Sequence, residues 1–233
     1  MATYESIHGT RVRYLTSDPT LDSSTEGQVW YNSTSGVNKS LVQFKAWATG
    51  GFLPTPTSNN GSATQGTQTA SLSFGGSNTQ PQTIEYDGYA WTTSNNLGTP
   101  RYVLSGAGTQ TAALGFGGYL PATGAAKNET ELYNGTNWTE VNNLNDARAR
   151  LGSAGTSTAA LAFGGEAPPN TANTEDWNGV SWVEVANLNT ARSDLAGTGT
   201  TTNSLAIGGT PSPNKALTEE WSGSSNTIKV LTD

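Results

Sequence analysis

Bulky and small side chains alternate in a short segment that the chain repeats four times, each copy ending in two glycines. The doublets are Gly75-Gly76, Gly117-Gly118, Gly164-Gly165 and Gly208-Gly209, so the period is 42, then 47, then 44 residues. In the copy Leu114-Gly115-Phe116 two bulky residues flank a small one, and the other copies keep this order. Side chains alternate across a strand, so each copy predicts a strand with one bulky face and one nearly bare face. Such strands suit small sheets stacked around an axis, whereas four copies in phase disfavour an edge strand of a sandwich.

Three further signals keep the phase of the doublets. A third strand is predicted at Thr83/Tyr86, Thr130/Tyr133, Thr174/Trp177 and Thr218/Trp221. Tight hairpin turns follow at Asp87-Gly88, Asn134-Gly135, Asn178-Gly179 and Ser222-Gly223. A fourth strand then begins near Trp91, Trp138 and Trp182, and ten residues after each tryptophan stands Arg101, Arg148 or Arg192. Each repeat therefore predicts four strands: one after the arginine, one ending at the doublet, and these two.

The first fifty residues lack the doublet. Strands are predicted at 11–16, 28–32 and 41–47, with a polar connection at 17–27 and a turn at 32–36. This segment is therefore expected to differ from the rest of the chain.

Trp47 nevertheless keeps the phase of the repeat. Leu53 follows it at the spacing of the leucines after the later tryptophans, while Thr57 takes the place of the arginine. Residues 1–50 are therefore interpreted as a divergent first unit. The regular units span about 51–98, 99–145, 146–189 and 190–233. In the last of them Asn226 replaces the tryptophan, and Ile228, Val230 and Leu231 are expected to supply the final strand.

The doublet, the aromatic residue and the tryptophan, in that order and four strands per copy, resemble the kelch repeat. The resemblance covers about 51–233 and implies an all-β kelch-like β-propeller in which each repeat forms one blade. Five blades are expected, with 1–50 as the atypical blade; the alternative is four blades and an N-terminal docking arm. Residues 26–36 and 108–118 also resemble repeat-bearing virion proteins of tailed bacteriophages.

Composition excludes several classes of function. The chain has 11 Lys+Arg against 18 Asp+Glu, a net charge of −7, which argues against sequence-independent nucleic-acid binding. With no cysteine there is no disulfide framework and no thiolate metal site. No apolar run is long enough to span a membrane, and the N-terminus lacks the apolar centre of a secretory signal.

The loops after the glycine doublets are the predicted binding surface, because they alone vary in length. They span 77–82, 119–129, 166–173 and 210–217, or 6, 11, 8 and 8 residues, and variable loops often mark the binding face of a repeat protein. The candidate ligand-binding residues are Tyr119, Asn128, Glu166, Asn170 and Lys215. The alternative is a set of solvated loops.

The phased arginines and tryptophans are interpreted as structural. Each arginine is expected to bond carbonyls or a carboxylate such as Glu131 or Glu175. The tryptophans are expected to pack in the core or between blades, with sugar stacking as the alternative. Sialidases grip a carboxylate with an arginine triad, but the Ser and Asp of their characteristic turn are missing here. Galactose oxidase needs histidine ligands and a cysteine, and this chain has one histidine, His8.

The resemblance to virion proteins therefore implies a non-enzymatic virion protein, a fibre or decoration component without a cofactor. Its expected partners are other virion proteins and a host-surface glycan or protein receptor, with homo-oligomer formation left open. Its expected location is the virion, assembled in the host cytoplasm and acting outside the cell. A cellular kelch-type interaction module is the alternative, and a glycosidase is disfavoured because no acid/base pair is evident.

Overall fold

The described part of the protein is all-β and forms five small sheets. The computed structural model describes residues 12–20, 28–40, 50–77, 81–211 and 216–223. The chain forms two compact units, Met1–Thr49 and Gly50–Asp233. No helix among the described residues is long and apolar enough to cross a membrane.

The N-terminal unit holds one three-stranded sheet. Its strands are β1 Arg13–Leu15, β2 Val29–Asn32 and β3 Val37–Ser40. The pairing of β1 with β2 is parallel, and that of β2 with β3 is antiparallel. The turn between β2 and β3 is held by the Asn32 side chain, whose Oδ1 accepts the backbone N–H groups of Thr34 and Ser35 at 3.0 Å each. This turn and the first two strands were predicted. The strand β3 was not predicted, and the predicted strand 41–47 falls outside the described residues.

Asp18 organises the polar side of this small sheet. Its carboxylate accepts hydrogen bonds from Trp30 Nε1 at 3.0 Å and Asn32 Nδ2 at 2.8 Å, and pairs with Lys39 Nζ at 2.7 Å. The hydrogen bond from Lys39, followed by those from Asn32 and Trp30, lowers the pKa of Asp18 to about 2. One carboxylate thus ties the segment after β1 to both other strands.

The second unit contains four consecutive sheets, named A to D in chain order. Sheet A has β4 Gly61–Ser62, β5 Ser71–Phe74, β6 Thr83–Tyr86 and β7 Trp91–Ser94. Sheet B has β8 Ser105–Thr109, β9 Ala112–Phe116, β10 Thr130–Tyr133 and β11 Trp138–Val141. Sheet C has β12 Gly152–Gly155, β13 Ala160–Phe163, β14 Thr174–Trp177 and β15 Trp182–Glu184. Sheet D has β16 Ala196–Gly199, β17 Asn203–Ile207 and β18 Thr218–Ser222 within the described residues. Each sheet is an antiparallel meander in chain order, and the predicted second, third and fourth strands are confirmed where the chain is described.

The hairpin turns between third and fourth strands form for a local reason. In each turn the side chain of Asp87, Asn134 or Asn178 accepts the backbone N–H groups of the second and third residues after it. The next residue is a glycine with φ between 91° and 97°, a left-handed conformation that other residues avoid. The Asx–Gly dipeptides therefore fix these turns, as predicted.

Neighbouring sheets stack by packing the bulky side chains of one sheet against the small residues of the next. The ring of Phe74 in sheet A lies 4.8 Å from that of Trp138 in sheet B, centroid to centroid, and Phe116 lies 4.9 Å from Trp182 of sheet C. A Cβ on Gly115 would come within 2.9 Å of the Phe74 ring. Each indole also donates its N–H to a threonine hydroxyl of the preceding sheet, Trp138 to Thr83 at 2.9 Å and Trp182 to Thr130 at 3.0 Å. The predicted alternation of bulky and bare faces thus produces the contact between sheets.

The first strands of the four sheets run side by side: β4 contacts β8, β8 contacts β12, and β12 contacts β16. They approach so closely that serine alternates with glycine from one sheet to the next. A Cβ on Gly106 would meet the Ser62 carbonyl oxygen at 2.6 Å, and Ser153 Oγ donates to the Gly106 carbonyl at 2.8 Å. Small residues are therefore required where these first strands meet.

Sheet D departs from the pattern of the other three. Ile207, at the position of three almost fully buried phenylalanines, is 41% exposed. Between sheets C and D lies a cleft of about 260 Å³ whose walls include Phe163, Thr174, Leu188 and Trp221. In sheets A and B the corresponding phenylalanine and threonine contact a tryptophan.

The stacking of the sheets leads to a prediction about Ala162, which lies on the bare face of β13. Ala162 is fully buried and belongs to the same hydrophobic cluster as Phe116 and Trp182. Ala162→Leu should destabilise the protein by about 1–3 kcal/mol because the added methyl groups have no room. Phe163→Ala should cost about 3–5 kcal/mol through the cavity it leaves. Urea unfolding measures both, with Thr139→Leu on an exposed strand position as the control, expected to shift stability by no more than about 0.5 kcal/mol. If Ala162→Leu leaves the stability unchanged while Phe163→Ala lowers it strongly, β13 is buried on one face only and the proposed packing between sheets is wrong.

Candidate functional site

The loops of the predicted binding surface begin at the glycine doublets, and the first three doublets are each hydrogen-bonded to the next repeat. The second glycine donates its N–H to the carbonyl of the next repeat's arginine: Gly76 to Arg101 at 2.9 Å, Gly118 to Arg148 at 2.9 Å and Gly165 to Arg192 at 2.8 Å. A Cβ on the first glycine would collide with the same carbonyl oxygen, at 2.5 Å for Gly117 and 2.6 Å for Gly164. The doublet therefore recurs because backbone must touch backbone here, with φ positive at both residues.

The arginines are fully buried and bonded within the protein. Arg101 donates to the carbonyls of Gly117 and Glu129 at 2.8 and 2.6 Å and pairs with Glu131 at 2.8 Å. Arg148 repeats this with Gly164, Asn173 and Glu175. Each guanidinium is thus hydrogen-bonded to both ends of a doublet loop and to a glutamate of the third strand.

The pattern continues at Arg192, which pairs with Glu219 at 3.2 Å. In all three repeats the second carboxylate oxygen accepts a backbone N–H from the connection that leads into the repeat, at Gly98, Asn145 and Asn189. Burial lowers the pKa of the Arg148 guanidinium and raises that of the Glu175 carboxyl, opposed in both cases by the partner's charge. Both groups thus carry a desolvation cost that their mutual pairing offsets.

Sheet A shows that the charged pair is replaced as a unit. Thr57 stands at the arginine position and Ile84, which is 1% exposed, at the glutamate position. Losing both charges together leaves no buried charge unpaired, which explains why the two changes coincide.

One residue per repeat adopts a left-handed conformation and links the repeats in series. Asn59, Val103, Arg150 and Asp194 have φ of 57°, 45°, 57° and 53°. The N–H of Val103 donates to the Asn59 carbonyl at 2.7 Å, that of Arg150 to Val103 at 3.0 Å, and that of Asp194 to Arg150 at 3.0 Å. Such φ values are strained for a β-branched residue such as Val103, so the chain of hydrogen bonds imposes them.

The side chains of this series meet the doublet loops in a polar cluster. Arg150 lies 3.0 Å from both Glu166 and Asp194, and all three side chains are about one third to two fifths exposed. The Tyr119 hydroxyl interacts with Glu166 and Arg150, and burial, followed by the hydrogen bond to Glu166, raises its pKa. Tyr119, Arg150, Glu166 and Asp194, called the polar cluster below, connect loops of sheets B, C and D.

The structure brings some of the predicted ligand-binding residues together, and it uses the side chains of others in hydrogen bonds within the protein. Tyr119 and Glu166 belong to the polar cluster, and Asn170 forms a backbone bridge with Glu166 while donating to the Thr210 carbonyl at 3.0 Å. Asn128 donates its amide to the Leu144 carbonyl at 3.0 Å. Lys215 lies outside the described residues.

Tyr119 offers little free surface to a ligand. Its side chain is 9% exposed and its ring packs 5.6 Å from that of Tyr102. Sequence reasoning missed Arg150 and Asp194, whose signal is their common place two residues after the phased arginines.

The surface next to the polar cluster offers a shallow cleft. It measures about 360 Å³ and is lined by Asp146, Ala147, Ala167, Pro169, Asn170 and Thr171. Such a lining can donate and accept hydrogen bonds beside a small apolar wall. Across the described ranges, no group of three or more histidine, aspartate or glutamate side chains is placed to hold a metal ion.

No protein-family model and no curated protein matches this chain. Inference about function therefore depends on the repeat residues and on the contacts described above.

The buried pair gives a sharp test. Arg148→Ala leaves Glu175 buried without its partner and should destabilise the protein by about 3–5 kcal/mol. The double change Arg148→Thr with Glu175→Ile copies the pair of sheet A and should recover most of that loss. Arg150→Ala, in an exposed ion pair, should cost about 1 kcal/mol or less.

Urea unfolding of the three variants provides the comparison. If the double variant is no more stable than Arg148→Ala, the arginine acts through its bonds to carbonyls rather than through neutralising the glutamate.

Proposed function

We propose that sheets A to D are the blades of a four-bladed kelch-like propeller. The serial contact of the inner strands and the repeated wedge of a tryptophan against the preceding sheet support a radial arrangement. In this proposal the described part of sheet D lacks one outer strand, and the cleft above Phe163 marks the position of the missing tryptophan.

The sequence predicts the fourth strand of this last repeat at Ile228, Val230 and Leu231, which fall outside the described residues.

Two differences favour four blades over five. The N-terminal sheet has a parallel strand pair, unlike the meanders of sheets A to D, and the second unit begins at Gly50. The N-terminal sheet then acts as the docking arm of the four-bladed alternative.

Truncation distinguishes the two architectures. Removing 1–40 should leave a folded monomer with nearly unchanged melting, because the four proposed blades all lie within the second unit. Calorimetry and sedimentation are the measurements; a molten or aggregated product on removing 1–40 would favour the five-bladed ring.

We propose that the protein is a non-enzymatic component of a tailed-bacteriophage virion, a fibre or decoration protein. Residues 26–36 and 108–118 support this through their resemblance to such proteins. The second support is the arrangement of the doublet loops: a rigid base of buried arginines carries loops of different length that end in a polar surface. This is the observation that carries the binding role, since rigid scaffolds commonly present their recognition residues on such loops.

The proposed ligand is a polar group on the host surface, a glycan or a protein receptor. The three phased arginines bind carbonyls and glutamates of the protein itself, so they are not proposed to bind a carboxylate of the ligand. A single shallow site of this kind binds weakly, and several copies on one particle would raise avidity by roughly 10²–10⁴.

The loop of sheet B offers the cleanest test of this function. Deleting 120–124 leaves six residues, the length of the sheet A loop, and retains Tyr119 and the bonds of Lys127 and Glu129. Phage carrying this deletion should assemble but lose attachment to host cells, whereas Thr136→Ala at a hairpin turn should attach normally.

Mass spectrometry of purified particles should first detect the chain. Its absence from particles would favour the cellular interaction module. Unchanged attachment after shortening this loop and those at 166–173 and 210–217 would leave a structural decoration that contacts only the virion.

A further inference from the structure

Two aromatic side chains are almost fully exposed at one edge of the second unit. Phe52 is 89% and Tyr89 is 87% exposed, the largest values among the exposed bulky apolar residues of the described chain. Isolated apolar side chains on a surface are ordinary, but two exposed aromatic side chains in segments that touch can offer a surface to one partner.

Backbone contacts bring the two residues together. Gly51, which precedes Phe52, packs against the turn that carries Tyr89, so closely that a Cβ would come within 2.8 Å of the Tyr89 carbonyl oxygen and 3.2 Å of the Ala90 Cα. Gly51 therefore holds the Phe52 segment against the turn.

The turn itself is rigid. Asp87 Oδ1 accepts the N–H groups of Tyr89 and Ala90 at 2.8 Å each, and these bonds lower the pKa of the Asp87 carboxyl. Behind the turn, the rings of Tyr86 and Trp91 pack 5.0 Å apart. The exposed tyrosine is thus displayed on a fixed support next to an ionised carboxylate.

Both aromatic residues depart from the repeat. The position of Phe52 is asparagine in the three later repeats, where the Oδ1 atoms of Asn96, Asn143 and Asn187 accept the first N–H of a third strand. The position of Tyr89 is Thr136 in sheet B and Val180 in sheet C. The repeat does not need an aromatic ring at either place, so the fold alone does not explain the pair.

We propose that Phe52 and Tyr89 form a stacking platform for a neutral pyranose ring. The face of an aromatic ring carries partial negative charge and attracts the partially positive C–H groups on the apolar side of a sugar. Asp87 supplies acceptors for the sugar hydroxyls at the edge of the platform. The net charge of −7 disfavours an acidic sugar.

A protein partner fits the platform less well. A stable protein interface covers about 800 Å² on each side with roughly 20–30 residues, far more than two side chains. The platform is distinct from the polar cluster and does not depend on the virion assignment, because it is tested on the isolated chain with small sugars.

The test uses saturation-transfer NMR on the full chain with methyl β-D-glucopyranoside and methyl β-D-galactopyranoside. Saturation should reach the C–H protons of at least one pyranoside, while acyclic mannitol, which lacks a flat C–H face, should receive little. Tyr89→Thr and Phe52→Asn install the residues of other repeats at exposed positions, so folding is retained. Each should weaken binding by about two- to tenfold.

Two further variants separate the platform from general surface effects. Gly51→Ala keeps both rings but displaces the Phe52 segment, and it should weaken binding as well. Val180→Thr, at the equivalent turn position in sheet C, should bind like the unaltered protein.

Three results would overturn the proposal. They are an absence of transfer to either pyranoside, undiminished binding in Tyr89→Thr and Phe52→Asn together, or a self-association in sedimentation that Phe52→Asn abolishes. The last of these would assign the patch to a second copy of the chain.

Discussion

The contact on which the second unit depends is that between a glycine doublet and the carbonyl of the arginine that opens the next repeat. The doublet can approach because neither glycine has a Cβ, and the arginine can be buried because a glutamate and several carbonyls accept hydrogen bonds from its terminal nitrogens. The same arginine holds both ends of the doublet loop. One group of residues therefore fixes the end of the second strand, the start of the third and the link to the next sheet.

This arrangement separates what each repeat must keep from what it can change. Positions that touch the neighbouring sheet are small or aromatic in phase, since the space between sheets is filled by a ring resting on glycine or alanine. Loop length can change because the loop ends are anchored independently of its tip. The charged pair itself is exchangeable, as Thr57 and Ile84 show, provided both partners change together.

The polar cluster illustrates how a surface is assembled from such parts. Its members come from three sheets and are brought together by the left-handed residues that link the repeats. Arg150 satisfies two carboxylates at once, so much of the apparent binding potential of this surface is used in joining the sheets. The proposed sugar platform differs in that its aromatic faces are left uncovered in the described structure.

The sequence by itself determined the local structure of the second unit. Strand positions, Asx–Gly turns and the bulky and bare faces follow from side-chain size and backbone freedom, which act within a few residues and recur in phase. The structural interpretation of Trp138 and Trp182 followed from the same periodicity.

Tertiary structure decided what lies next to what. Contacts between segments far apart in the chain bury Tyr119 and place the Asn128 amide on a backbone carbonyl. Contacts of the same kind give Arg150 its two carboxylate partners and bring the Phe52 segment against the turn of Tyr89. The parallel pairing of β1 with β2 is of the same kind, since strand direction is set by how distant segments meet. A pattern of residue types records which face of a strand is buried, but not which group from another repeat will cover it.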